Sequence, residues 1–216
     1  MTPQTTPRSG SAVAVTDTRS LLLTAAAREI HMHGFQAASL SRILAETGVT
    51  KGALYYHFPS KIALGYAVVD ECLAPALRKR WIEPLTACRS DPLQSLIDTI
   101  RRVGSGMTKA EVLLGCPVNN LAQEMAPVDE GFRIRIEVLL DEWRSAIESA
   151  LRQADREGRL SQNIDARSSA AFIVASLEGS IGTAKNAQSL DILLNCGKGL
   201  IGYLQSLANP SEVEQV

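Results

Sequence analysis

The chain has 216 residues, 45% of them hydrophobic and 21% charged, with a net charge of −1. That is enough apolar mass for one large domain or two small ones, and the near-neutral balance excludes a uniformly basic nucleic-acid binder. No run of 18 apolar residues occurs, so no membrane span is expected. Four cysteines without CxxC spacing (Cys72, Cys88, Cys116 and Cys196) argue against a zinc or disulfide framework.

Residues 1–16 are rich in Thr, Ser and Pro and lack a charged-then-apolar leader. They are expected to form a disordered arm, and the chain is expected to be cytoplasmic. A first helix is predicted over about 18–33, with Leu22, Leu23, Ala26 and Ile30 facing inward. Ser39 is placed to cap a second helix, whose Leu40, Ile43 and Leu44 recur at i, i+3 and i+4. Gly48 follows, where a positive φ is often required. Val49 is an apolar plug within the turn, and Thr50 can cap a third helix. Leu54 and Phe58 face the same small core, and Pro59 ends the helix.

Helix, tight turn and helix in this order form a helix-turn-helix, whose second helix enters a DNA major groove. Its outer face carries Lys51, Gly52, Ala53, Tyr55, Tyr56 and His57. Gly52 and Ala53 are small enough for close approach to base edges. Lys51 suits a guanine edge or a phosphate, and Tyr55, Tyr56, His57 and Lys61 can donate to phosphates. Thr50 at the cap, and Ser41 and Arg42 on the preceding helix, are further candidates for the DNA backbone. Residues 18–61 carry a net +3 and residues 62–216 a net −4, a small basic head on an acidic body.

A fourth helix is predicted from the Ser60 cap to about Glu83. Pro75 lies inside it and implies a kink, either a harmless one or a joint that sets the angle of the head. Another helix is predicted over about 92–110, and Pro117 suits the first turn of the next. A long helix over about 128–156 has the stripe Phe132, Ile136, Leu139, Leu140, Trp143, Ile147 and Leu151, close to a 3.6 period. Gly158 lies just past its end. Asp165 can cap a helix reaching about 186, and a last helix spans about 189–208. No strand is expected, so the fold class is all-α. The expected division is an arm (1–16), a helix-turn-helix domain (17–61), a helical effector-binding and dimerisation domain (62–209) and a frayed tail (210–216).

The string GVTKGALYYHFPSK, with RSLLLTAAAREIHMHGF before it, closely resembles the signature of the tetracycline-repressor (TetR) family of bacterial transcription regulators. The resemblance is strong over residues 19 to about 70. It implies a dimeric regulator, usually a repressor, that binds palindromic double-stranded operator DNA and is released by a small molecule acting on the C-terminal domain. In that family the last two helices form a four-helix dimer interface. Here those helices hold Gly179, Gly182, Gly197, Gly199 and Gly202, which suit close backbone packing either between two copies or within one chain.

Candidate effector walls are Trp81, Met107, Leu114, Trp143 and Phe172. Candidate polar anchors are Asn119, Asn120, Gln123 and Glu178. Cys116 lies between Gly115 and Pro117 near a helix N-terminus, where free amides and the helix dipole favour a thiolate, and Lys185 would add to this if it folded nearby. The GCPVNNLAQEM and EGSIGTAK segments resemble a subgroup of the family that responds to reactive electrophiles, oxidants or small unsaturated acids. Cys116 is then either a reactive sensor or a small core residue. No phosphate loop, nucleophile elbow or His-Glu metal pair occurs, and His31, His33 and His57 all fall in the head. No cofactor, metal or enzymatic activity is expected. A helical enzyme using a pocket in the body and a protein–protein adaptor remain the alternatives.

Overall fold

The computed structural model describes residues 11–87, 91–161 and 164–209. The expected tail (210–216), the first ten residues of the expected arm and Cys88 lie outside the described residues. The chain forms two compact units, Met1–Cys72 and Leu73–Val216.

The first unit contains α1 (Ser11–His33), α2 (Leu40–Thr47), α3 (Lys51–His57) and α4 (Lys61–Val68). Helix α1 packs on the other three. Leu22, Ala26, Ile43, Leu54, Phe58 and Leu64 are all buried there. The local signals do what their chemistry requires. The Ser39 hydroxyl accepts from the Arg42 amide, Thr50 Oγ1 from the Ala53 amide at 3.2 Å and Ser60 Oγ from the Ala63 amide at 3.0 Å. Gly48 closes α2 at φ 66° in the left-handed region.

Two expectations shift in this unit. Helix α1 begins at Ser11, within the segment read as a disordered arm. Once a stable helix is nucleated, each added residue gains one hydrogen bond for one ordered residue, so the helix extends upstream. The unit also runs past the boundary expected at residue 61, because Leu64 and Val68 of α4 are buried and α4 packs on α1. Including Asp70 and Glu71 lowers the charge of residues 18–72 to +1.

The predicted fourth helix is not one regular α-helix with a kink at Pro75. After α4 come a π-turn at Val69–Leu73, α5 (Ala74–Leu77), a second π-turn at Arg78–Ile82 and α6 (Glu83–Thr86). Pro75 and Pro84 each sit in the first turn of the α segment that follows a π-turn. A widened turn, seen where the Glu83 amide donates to the Arg78 carbonyl, moves the hydrogen-bond ladder past the missing proline N–H. Helical structure therefore continues through Pro84, where the sequence reading ended it.

In the second unit, α7 (Pro92–Gly106) stops short of the predicted end at 110, and α8 (Lys109–Leu114) begins after Thr108. The break is a capping box, with the Thr108 side chain on the Glu111 amide and the Glu111 carboxylate on the Thr108 amide. Helix α9 (Pro117–Met125) carries Pro117 in its first turn. Helix α10 (Glu130–Arg156) buries Phe132, Ile136, Leu139, Trp143, Ile147 and Leu151, the predicted stripe apart from half-buried Leu140. Helix α11 (Ala166–Ala187) is capped by Asp165 and α12 (Leu190–Ser206) by Ser189. Helix α10 packs on α7 and α11, and α12 on α7 and α11. The Asn209 amide donates to the Arg159 carbonyl at 2.8 Å beside an isolated Leu160–Ala208 bridge, and no strand occurs among the described residues. No helix among them is long and apolar enough to cross a membrane.

Candidate nucleic-acid interface and effector cavity

Helix α3 is short, and its caps fix its ends while Leu54 anchors it by burial. Its outer face is open. Lys51, Gly52, Tyr55 and Tyr56 are exposed, Tyr56 to 79%, and Ala53 and His57 are half-buried. Lys51 Nζ lies 5.9 Å from the Tyr55 ring centroid, and the Tyr56 and His57 rings meet edge-on at 5.2 Å. A Cβ at Gly52 would meet nothing within 4 Å. The face therefore presents a cation and two phenols, with open space over Gly52.

The other basic residues of the head are engaged within it. Arg42 Nε donates to Glu29 Oε1 at 2.8 Å and its Nη2 to the Ala37 carbonyl at 3.0 Å. Lys61 Nζ donates to the Gln36 carbonyl at 2.9 Å and sits 5.1 Å from the Phe35 ring centroid. Arg28 pairs with Glu46 at 2.9 Å, and Arg19 pairs with Glu71. Lys51 has no carboxylate partner among the described residues. Ser41 is exposed, while the Thr50 hydroxyl already serves the Ala53 amide.

Glu29 is the residue that sequence reasoning missed in the head. It is 5% exposed, and its Oε1 also accepts from the Ser39 amide at 2.9 Å. The Arg42 hydrogen bond, with a smaller contribution from the Ser39 amide, holds its carboxyl below the usual carboxylate range against the opposing effect of burial. One buried carboxylate thus ties α1 to the start of α2. Its partners lie 10 and 13 residues away, beyond any helical or turn period that would flag it in the sequence.

In the second unit a cleft of about 550 Å³ opens between α7, α11 and α12. Its apolar surface includes Trp81, Ile100, Met107, Leu177, Ile181 and Leu193, and its rim carries Arg101, Ser105, Lys198 and Gln205. Among the predicted effector walls, Trp81 and Met107 line it. Trp143 lies behind Trp81 at a ring separation of 5.0 Å, fully buried, with no acceptor for its Nε1 among the described residues. Phe172 is no pocket wall: it is 52% exposed and meets Tyr203 edge-on at 5.1 Å. Gln123 is exposed.

The remaining candidates form a separate polar group. The Cys116 thiol hydrogen-bonds Glu178 and receives the amides of Asn119 and Val118. Asn120 bonds the Leu114 carbonyl at 2.8 Å and Lys185 Nζ at 3.0 Å. Burial pushes the Cys116 thiol up to about 12, and the Glu178 charge adds to this, while the two amides pull the other way. The expected thiolate is therefore reversed: the helix-end amides are present, but desolvation beside a carboxyl group outweighs them. Lys185 turns to Asn120 instead of neutralising the pair. Burial also raises Glu178 to about 7, partly offset by the Cys116 hydrogen bond, and its Oε2 has no partner among the described residues. No group of three or more His, Cys, Asp or Glu suited to a metal occurs among the described residues.

The glycines of α11 and α12 also read differently in three dimensions. A Cβ at Gly179, Gly182, Gly197, Gly199 or Gly202 would meet nothing within 4 Å. These glycines do not serve close packing within the chain.

Residues 22–68 match the bacterial regulatory proteins of the tetR family, and residues 92–199 match the C-terminal domain of LmrA/YxaF-like transcriptional regulators. The HTH-type transcriptional regulator LmrA of Bacillus subtilis (strain 168) is 31% identical over 83% of this chain and 94% of its own length. An uncharacterized HTH-type transcriptional regulator in the lacX 3' region of Lactococcus lactis subsp. lactis is 30% identical over 82% of this chain and 88% of its own. A TetR transcriptional regulator from Chloroflexus aurantiacus J-10-FL superposes with a TM-score of 0.80 at 26% identity, covering 91% of this chain and 98% of that one. The capped helix-turn-helix, the all-α body and these matches over both units agree: the chain belongs to the TetR family of bacterial transcriptional regulators.

Proposed function

We propose that this protein is a homodimeric repressor that binds palindromic operator DNA through α3 and is released by a small molecule acting on its helical body. The observation that carries the reading is the outer face of α3. Lys51, Tyr55 and Tyr56 project from a helix whose ends, core and flanking charges are all satisfied from within the head. Lys51 and the residues around Gly52 and Ala53 read base edges, and Tyr55, Tyr56, His57 and Ser41 meet phosphates. Arg42 and Lys61 act mainly by holding the scaffold.

Dimerisation is assigned to α11 and α12. Phe172, Gly179, Gly182 and Gly202 are exposed on them, and the glycines have open space around them. A two-fold pair places two copies of α3 on two half-sites. Action on DNA places the protein in the cytoplasm, and its role is binding rather than catalysis.

Selection of bound duplexes from a random pool at physiological salt tests the reading. A recovered palindrome whose binding falls steeply with added salt supports it. A folded dimer that enriches no sequence sinks it. The Cys116–Glu178 pair is a secondary candidate for effector response, and unchanged electrophile-induced release by Cys116→Ser would remove it.

A further inference from the structure

We infer that the cleft between α7, α11 and α12 takes an amphipathic monoanion: a carboxylate on an aliphatic or aryl tail. This rests on the reading of the protein as an effector-responsive regulator and adds the chemical class of the effector.

Three observations carry it. The first is shape and polarity. A cleft of about 550 Å³ is within the range that accommodates a small organic ligand, and its deep surface is Trp81, Ile100, Met107, Leu177, Ile181 and Leu193, all buried hydrophobic side chains. Such a surface rewards an apolar tail and offers a charged headgroup nothing.

The second is the sign of the charge at the rim. Arg101 and Lys198 both line the cleft, and no Asp or Glu does. Lys198 has no ion-pair or hydrogen-bond partner among the described residues. Arg101 holds only Asp98, three residues away on the same helix, at 3.3 Å with both side chains about half exposed. A pair of that kind contributes little and releases the guanidinium readily. An anionic headgroup at the rim gains two cations, whereas an amine would meet both of them without a counter-charge.

The third is that the neutral groups do not compete for the role. Ser180 donates to the Ser176 carbonyl at 2.6 Å, and Ser105 donates to the Arg102 carbonyl at 3.3 Å. Gln205 remains as a neutral donor at the same rim. Of the glycines on the proposed dimer helices, Gly179, Gly182, Gly199 and Gly202 lie outside the lining and Gly197 lies within it, so the cleft and the proposed dimer face are largely different faces of the same two helices.

Trp81 provides the readout. It lines the cleft and stacks on Trp143, the other tryptophan of the chain. Titration of the full-length protein with decanoate, decanol and decylamine, followed by tryptophan fluorescence, is expected to show decanoate binding at least about tenfold tighter than decylamine. Lys198→Glu, an exposed substitution, is expected to weaken decanoate about fivefold or more and to narrow or invert that preference. The Arg101→Glu/Lys198→Glu double variant is expected to weaken it further, with an unchanged thermal melt showing that the fold is intact.

Equal binding of the three probes, or a preference unmoved by either variant, overturns the proposal. No signal from any probe also overturns it, and if Leu194→Asp, at an exposed leucine of the cleft lining, then converts the assembled protein to monomer, the cleft belongs to a second copy. Operator binding is measured separately. Its loss would remove the regulator reading, while the fluorescence titration decides the ligand class either way.

Discussion

The two units of this chain satisfy their polar groups in opposite ways. In the head, the buried Glu29 carboxylate has the Ser39 amide and Arg42 guanidinium on it, and each short helix is closed by a side-chain cap. In the body, Glu178 Oε2 and Trp143 Nε1 are buried without partners among the described residues, a π-turn at Arg78–Ile82 interrupts the first helical segment, and a cleft stays open beside α12. A DNA reader needs its recognition helix held in one geometry. A sensor needs an element whose contacts a ligand can improve, and unsatisfied buried groups and irregular turns lie at the low-stability end from which such elements are drawn.

The largest expected effect exploits that contrast at Glu178. Its carboxyl is raised to about 7 in the folded chain against an ordinary value near 4.5. The stability it allows is therefore fully present below about pH 4.5 and is lost as pH rises through about 7. Glu178→Gln removes the ionisable group. It should stabilise the protein by about 3 kcal/mol at pH 9, with the advantage shrinking below about 1 kcal/mol at pH 5. Urea melts across that range check it, and an advantage independent of pH would show that Glu178 is not desolvated as described.

Next is the open face of the head. Lys51→Ala with Tyr56→Ala should weaken operator binding about a hundredfold, at about 1–3 kcal/mol for each lost contact, while the melting temperature stays put. A titration of the selected duplex measures it, and wild-type affinity in the double variant would move the interface away from α3.

The same unit can be broken from inside. Glu29→Ala strips the acceptor from two donors and should cost about 2 kcal/mol, with Glu29→Gln intermediate because an amide oxygen remains. Because the Glu29 pKa is lowered on folding, the wild-type advantage is present above the ordinary carboxylate range and is lost as pH falls from that range through the lowered folded-state value. Denaturant melts of the variants at pH 7 and pH 3 would show it. Operator affinity should fall along with stability, since Glu29 anchors the start of α2.

The smallest effect is expected at the turn. Gly48 sits at φ 66° with open space around it, so Gly48→Ala should cost about 1 kcal/mol from backbone strain alone, with no clash. A loss several times larger in a thermal melt would mean that the turn contacts something the geometry does not show.

Much of the head was legible in the sequence because its signals are local. Ser39, Gly48, Thr50 and Ser60 each act within a few residues of themselves, and Leu54 and Phe58 fall on one helical face. The long stripe of α10 was legible for the same reason. The Thr108–Glu111 box was equally local and went unread, which merged α8 with the end of α7. The π-turns were not legible, because a widened turn depends on how the prolines at 75 and 84 are accommodated along a continuing helix.

The effector residues were the least legible. Cys116 has the helix-end amides the sequence implied, but the Glu178 carboxyl and the depth of burial reverse their effect. Phe172 was expected to wall the effector site and stands exposed, while Arg101 and Lys198, which no local sequence signal singled out, line one cleft.

The sequence by itself determined the helices, their caps and the helix-turn-helix, because hydrogen-bonding termini and apolar periodicity are written within one or two turns of chain. Only the tertiary structure decided which charges remain available and where the cleft opens. Those outcomes depend on which distant side chain arrives first at each cation, carboxyl or apolar surface, and on how much water the packing removes around it.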